Sequence, residues 1–455
     1  MQQEHVLNER NIKKLLIKLS TPAIFGMLVM ALYNVVDTIF IGRSVGPLGI
    51  AALSIVFPIQ MIIMSFGQLV GIGAASVISR SLGAGEIEKA NLTLGTALTF
   101  TIIISVLLTV FGLIFSRQLL LLFGATEMIF TYAKEYFDII MFSSILFIIA
   151  MSSNSILRSD GRAKDAMYTM IVGAVLNIIL DPILIFGFKM GVRGAALATV
   201  ISQFIAVCYV IGVIQSKKST LSVKLHDVRL NLPILREITA IGFSFFARNI
   251  AGSVVFASIN NVLGSYGGDI AIAAYGIIQR FTRFIIMPMF GIAQGVQPII
   301  GYNYGAKLYL KVLEAKNIAI KYATILGTVG FLVVELFSRP LVTIFTNDPQ
   351  LIDVCSKAMK LMFMLFPIVG FQVVTTTVFQ ALGKAIPSLI FSLSREILFL
   401  LPLVILLPKM FSLKGVWIAY PVSDIFSFVL TGVFYLRLRR ELKNLALSAH
   451  QEVAG

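Results

Sequence analysis

The chain has 455 residues, 58% of them hydrophobic and only 13% charged, whereas a soluble domain carries about 25% charged residues, so a water-facing surface is excluded. A net charge of +15 would suit nucleic acid on a soluble fold, but here the basic residues gather beside long apolar runs, which points to a membrane instead. Cys208 and Cys355 are the only cysteines, which excludes a disulfide framework and a CxxC metal site.

Residues 1–11 are polar and lack a signal-peptide pattern, so the first apolar run is expected to persist as a helix. Twelve spans are predicted, at 12–42, 49–79, 92–115, 131–156, 165–187, 192–214, 235–263, 270–300, 313–337, 352–381, 385–408 and 413–436. Each has about the 20 residues or more that a helix needs to cross the hydrocarbon. The 35 glycines and 14 prolines fit membrane helices, where small residues allow close approach and neighbours re-satisfy freed backbone groups.

An even number of spans puts both termini on one side. The positive-inside rule names it. Arg10, Lys13, Lys14 and Lys18 flank the first span, and Arg158, Arg162, Lys164, Lys217, Lys218, Lys224, Arg229, Arg236, Arg437, Arg439 and Arg440 lie on the same side. The opposite loops hold far fewer, among them Arg43, Arg117 and Lys189. Both termini are therefore expected in the cytoplasm, in a multi-pass protein of the plasma (bacterial inner) membrane.

The two halves repeat at an offset of 222 residues: Gly73 meets Gly295, Gly83-Ala84 meets Gly305-Ala306, Phe115-Ser116-Arg117 meets Phe337-Ser338-Arg339, and Gly161 meets Gly383. Near the end the offset slips by one, and Gly191-Val192-Arg193-Gly194 meets Ser412-Leu413-Lys414-Gly415. Repeats of six spans share one orientation, related by an axis along the membrane normal. The expected fold is an all-α polytopic membrane protein of twelve transmembrane helices, in two six-helix bundles related by a pseudo-two-fold along that normal. Residues 1–214 would form the first lobe, 215–234 a basic cytoplasmic linker loop, 235–440 the second lobe and 441–455 a cytoplasmic tail. Two bundles with a cleft suit alternating access, although duplicated bundles also occur in channels and scaffolds.

Ionisable groups inside hydrocarbon are costly and mark functional candidates. Asp37 sits in the first span. Asn177 and Asp181 share one face of the fifth, four residues apart, and Thr199 in the sixth lies at a similar depth. Two carboxylates with amide and hydroxyl oxygens suit a proton or Na⁺, since hard cations take oxygen ligands; a bound Na⁺ would sit at Asp37, Asn177 and Asp181. A polar network that only locks helices is the plainer alternative. The second half carries Arg248, Arg280, Arg283, Arg395, Glu396 and Asp424 instead, for which mutual pairing is the simpler account and a ligand role stays open. Coupling is therefore assigned to the first half. Pro22 lacks an N–H and can bend the first helix, though proline near a helix start is also commonplace.

HExxH and Walker A patterns are absent, and His5, His226 and His450 fall in cytoplasmic segments. No enzyme and no cofactor is expected; an ion gradient would supply the energy.

The stretch Asp37 to Gly42, Gly83-Ala84-Gly85, Asn177 to Pro182, Gln294 to Pro298 and Gly301 to Ala306 resemble the multidrug and toxic compound extrusion (MATE) transporters, over about residues 12 to 440. The resemblance implies an exporter of cationic or amphipathic small molecules, working by antiport against H⁺ or Na⁺. It implies that Asp37, Asn177, Asp181 and Thr199 carry the coupling ion, and that Tyr33, Tyr136 and Asn154 lie near the network or the drug cavity. Another branch carries coupling acids in spans 7 and 10; span 7 here has only Glu237, at its cytoplasmic start, and span 10 has only Asp353 at its edge. Drug-like cations and the bilayer are the expected partners, with no nucleic acid, and a monomer is expected. A lipid-linked precursor flippase of the same superfamily is the alternative.

Overall fold

The structure is a computed structural model that describes residues 6–216, 219–222 and 225–454, with the side chains of residues 34, 35, 47, 225 and 450–454 outside the description. Lys217, Lys218, Lys224 and His5 lie outside the described residues, as does the side chain of His450.

In chain order the helices are α1 (Ile12–Ser44), α2 (Pro47–Gly83), α3 (Ile87–Ile114), the short α4 (Ser116–Leu122), α5 (Glu127–Phe142), α6 (Ser144–Ser159) and α7 (Ala163–Pro182). A π turn over Ile183–Gly187 leads to α8 (Gly191–Ile214) and the long α9 (Leu232–Gly305). Then come α10 (Tyr309–Thr343), α11 (Pro349–Phe363), α12 (Phe366–Ala381), α13 (Ala385–Leu393), a π segment over Ser394–Leu400, α14 (Leu401–Leu406), α15 (Pro408–Phe411) and α16 (Leu413–Ala454).

Among the described residues nine helices are long and apolar enough to cross a membrane. The bent pairs α5–α6 (56°) and α11–α12 (51°) each make one more span, and α9 holds two helices joined at Gly268. Nine, two and one make the expected twelve. Three details differ from the expectation. The spans at 131–156 and 352–381 are each broken, and those at 235–263 and 270–300 need no loop between them. Gly268, at φ 62° and ψ −160°, occupies a region open essentially to glycine alone, and it redirects the chain in one residue. The segment expected as a tail after residue 440 continues α16 to Ala454.

Lipid, not water, explains the side-chain pattern. On α3 the exposed residues include Ile103, Val106, Leu107, Val110 and Ile114, while Thr93, Thr96, Thr101, Ser105 and Gly112 are buried. The pattern of a soluble helix is inverted, because close packing of small and hydroxyl-bearing side chains, rather than escape from water, joins helices in a bilayer.

The chain forms two compact units, Thr21–Gly242 and Phe243–Gly455, the second joined by the segment that precedes Thr21. The internal repeat recurs in the backbone. Gly46 (φ 75°) answers Gly268 (φ 62°), Gly85 (78°) answers Lys307 (59°), Gly161 (75°) answers Gly383 (76°), and Gly191 (53°) answers Ser412 (51°).

The first unit includes residues 232–242 of α9, held close to α2. A Cβ at Gly73 would stand 2.1 Å from the carbonyl oxygen of Ile238. The second unit likewise holds the first turns of α1: a Cβ at Gly295, the repeat partner of Gly73, would stand 2.8 Å from Ser20 Cα. The segment expected as a linker loop is tied to the first unit. Asn91 Oδ1 accepts from the Ser222 N–H at 2.9 Å, Thr96 Oγ donates to the Arg229 carbonyl at 3.2 Å, and Asp160 accepts from Ser219 Oγ at 3.0 Å.

Candidate functional site

The site lies within the first unit, where α7 and α8 pack together. Pro182 has no N–H to give to the carbonyl of Ile178, and the helix widens into the π turn directly after it; such insertions are frequent at functional sites. Gly194 lets α8 approach that turn, since a Cβ there would stand 2.9 Å from the Leu184 carbonyl. Thr199, five residues on, thereby comes level with Asn177.

Asp181 is 0% exposed, Asn177 2%, Thr199 3% and Asp37 7%. With its amide turned to satisfy both neighbours, Asn177 donates to Asp181 Oδ2 at 3.0 Å and accepts from Thr199 Oγ at 3.2 Å. Thr199 Oγ also lies 3.0 Å from the carbonyl of Ala195 in its own helix. Asp37 brings its carboxyl from α1 to within hydrogen-bonding reach of the Asp181 carboxyl, and its Oδ1 is buried with no hydrogen-bond partner. Two carboxylates so close in a low dielectric repel one another unless a proton or a cation lies between them.

A cavity of about 10 Å³ borders Asn177, Thr199, Tyr33, Met30, Ser202 and Gln203. That is the room of about one water molecule. It fits a water or a desolvated small cation and is far too small for an organic molecule. Tyr33, Asn177, Thr199, Ser202 and Gln203 offer it oxygen donors, the type that suits H⁺ or Na⁺. Among the described residues no group of three or more His, Cys, Asp or Glu side chains is arranged to hold a metal ion.

Tyr33 is half-buried on the cavity wall and within electrostatic range of both Asp37 and Asp181. Tyr136, 3% exposed, feels the same two carboxyls, and its hydroxyl accepts from Gln60 Nε2 at 3.2 Å. Asn154 is elsewhere. Its amide donates to the carbonyl of Ala166 at 2.6 Å and to Thr169 Oγ at 3.2 Å, and its oxygen accepts from Arg158. These partners saturate it in a network that staples α6 to the start of α7, apart from the carboxyl cluster. Pro22 is buried within α1, which runs unbroken across it.

Gln60, Ser202 and Gln203 were missed in the sequence. Ser202 and Gln203 follow Thr199 by three and four residues and share its helix face, a spacing that would have found them. Gln60 is reached only through the packing of α2 on α5, which leaves no sequence signal.

The family model described as MatE matches residues 22–183 and again 245–406. The chain belongs to the MatE family. The two matches are equal in length and fall one in each repeat, so the duplication seen in the backbone is the family's own. The multidrug export protein MepA of Staphylococcus haemolyticus is 28% identical over 435 residues, covering 95% of this chain and 96% of that one. The FAD transporter of Shewanella oneidensis is 27% identical, covering 93% and 94%. The solved structure of the MATE multidrug transporter DinF-BH is 44% identical, with a TM-score of 0.89 over 96% of this chain and 98% of that one. The chain is thus a multi-pass membrane transporter of this family, matched over nearly its whole length.

Proposed function

We propose that this chain is a secondary active multidrug exporter that exchanges cationic or amphipathic small molecules for H⁺ or Na⁺ by alternating access. The observation that carries this reading is the buried pair Asp37 and Asp181, completed by Asn177 and Thr199, beside a cavity of one-water size. A proton or Na⁺ entering from outside binds between the carboxyls and cancels their repulsion. Asp37 then changes its hydrogen bonds, and α1, freed of a backbone bond at Pro22, bends and releases the drug outward. After closure outside and opening inside, the ion leaves to the cytoplasm and drug enters. The chemistry is a difference in ion affinity between two conformations, as any ligand-driven shift requires. The protein acts as a monomer in the cytoplasmic membrane, with both termini inside.

The test is efflux of a fluorescent lipophilic cation from proteoliposomes under a pH gradient or a Na⁺ gradient imposed separately. Wild type exports under one of them, and Asp37→Asn abolishes that export with the protein intact. Gradient-driven export that survives in Asp37→Asn would refute the assignment. Arg248, Arg283 and Arg395 in the second unit support a flippase for lipid-linked phosphates as the second reading. Headgroup translocation without either gradient, together with an inert lipophilic cation, would favour it.

A further inference from the structure

The first repeat covers with its own chain a place that the second leaves open. A Cβ at Gly95 on α3 would stand 2.0 Å from the carbonyl oxygen of Asp227, so the segment between α8 and α9 lies against that face of the first unit. At the 222-residue offset Gly95 answers Asn317 on α10, which is exposed. The neighbours change character with it. Leu94 answers Lys316, Thr99 answers Lys321 and Ile149 answers Phe371. Past the one-residue slip, Val207 answers Phe428 and Ile214 answers Tyr435. A mostly apolar surface covered by chain has become an open face of cations and aromatic rings where α10 and α16 meet.

The cations are short of counter-charge. Lys316 is 0% exposed. Its ammonium can donate three hydrogen bonds; it gives one to Asn317 Oδ1 at 3.3 Å and lies 4.0 Å from the centroid of the Tyr435 ring. Tyr435 Oη donates to the same Asn317 oxygen at 3.2 Å, which ties α16 to α10. The Asn317 amide nitrogen has no partner among the described residues. Arg439, one turn beyond Tyr435, is exposed and within electrostatic range of both Lys316 and Tyr435. Lys316, Lys321 and Arg439 make no ion pair among the described residues, and the neighbouring Glu441 is taken by Lys384 at 2.5 Å. A buried charge without a counter-charge is costly, so the cluster calls for an anion.

Depth and the rings identify its source. Lys316 lies seven residues into α10, about 10 Å from its start, and Phe428 lies seven residues back from Tyr435, about 10 Å deeper along α16. The cations thus stand at headgroup level, on the side of both termini. The rings run from there into the hydrocarbon: Phe371 meets Tyr435 at 5.2 Å and Phe428 at 5.1 Å between centroids. Lys321 is exposed further into the span and can carry its ammonium back to headgroup level on its apolar stem. A soluble anion would use the cations but not the rings. We propose that this face binds an acidic phospholipid, whose phosphate is held by Arg439, Lys321 and the Asn317 amide over the buried Lys316, with one acyl chain along Tyr435, Phe371 and Phe428. Charge-assisted hydrogen bonds to phosphate are the strong ones, and basic residues beside a span attract anionic lipid.

The test is native mass spectrometry of the delipidated full-length protein titrated with dioleoyl phosphatidylglycerol. Dioleoyl phosphatidylcholine serves as the zwitterionic lipid of equal chains. The first phosphatidylglycerol binds wild type about tenfold or more tighter than phosphatidylcholine. Arg439→Gln and Lys321→Gln each weaken it about tenfold, the loss of one charge-assisted contact. Arg437→Gln, on the far side of the same helix, changes it by less than about twofold. Melting temperature reports the fold of each variant, and if Arg439→Gln is unfolded, Lys321→Gln decides. Equal affinity for the two lipids, or an equal loss in Arg437→Gln, overturns the site and leaves only a diffuse basic surface. Displacement of the lipid by inorganic phosphate overturns the lipid as occupant and makes the site one for a soluble anion.

Discussion

At the scale of single residues, what distinguishes the two units is how their buried charges are satisfied. Asp181 depends on the Asn177 amide, and Asn177 depends on Thr199. Thr199→Val keeps the shape and removes the hydroxyl, so the Asn177 oxygen loses one of its donors. An unmet buried group costs about 1–3 kcal/mol. Gradient-driven export is expected to fall about tenfold or more, that cost read as affinity for the ion, whereas Thr199→Ser retains export; the proteoliposome assay checks both. In the second unit Asp424, 1% exposed, is bound to Arg395. Asp424→Ala strands a guanidinium in low dielectric, and removing one partner of a buried pair costs about 3–5 kcal/mol. A clear drop in melting temperature is expected for that variant. The double change Arg395→Met with Asp424→Leu restores most of the loss, because it leaves no orphaned charge.

At the scale of elements, the backbone departs from plain helix at places the sequence marks unevenly. Gly46 and Gly268 stand one repeat apart in the same glycine-only region, so Gly46→Ala and Gly268→Ala are each expected to destabilise the protein, by about 1–3 kcal/mol. Thermal melting of the two variants checks this, and a neutral result at either position would show that the chain can turn there by another route. The glycines were legible as residues, but the helix-to-helix junction at Gly268 was not, because a pair of glycines, Gly267 and Gly268, reads equally well as the tip of a short loop. The bend between α11 and α12 has a visible cause in Pro367, which cannot donate to the preceding turn. The 56° break between α5 and α6 falls at Ser143, with neither proline nor glycine beside it. Packing sets that bend, so apolar periodicity ran straight through it. The carboxyl cluster was legible for the opposite reason: charge inside an apolar run is conspicuous one residue at a time, and Asn177 and Asp181 declare a shared face by spacing alone. Asn154 stands apart from that cluster, hydrogen-bonded to Arg158 and the start of α7, and this was not legible because an asparagine in a span looks the same in sequence whatever it faces.

At the scale of the whole molecule, each unit completes itself with a piece from the other half of the chain. The first unit takes in the segment from Leu225 to Gly242, seated where Gly73 leaves room for Ile238. The second takes in the turns of α1 before Thr21, seated where Gly295 leaves room for Ser20. The repeat at 222 residues was legible in the sequence, yet this exchange was not, since sequence order assigned residues 1–20 to the first lobe and read the linker as a free loop. The exchange predicts how the protein tolerates being cut. A fragment ending at Ser222 lacks the α9 arm and leaves the Gly73 face of α2 bare, and a fragment beginning at Val223 lacks the α1 arm and leaves the Gly295 face of α9 bare. Neither is expected to accumulate as a folded species when expressed alone. Expressed together, each supplies the arm the other needs, so the pair is expected to co-purify and to export a lipophilic cation as the intact chain does. The arms make two separate contacts in one assembly, so Gly73→Val in one fragment and Gly295→Val in the other should each weaken co-purification on its own. Recovery of either fragment alone, folded and monodisperse, would mean that the arms are accessory to the units rather than parts of them.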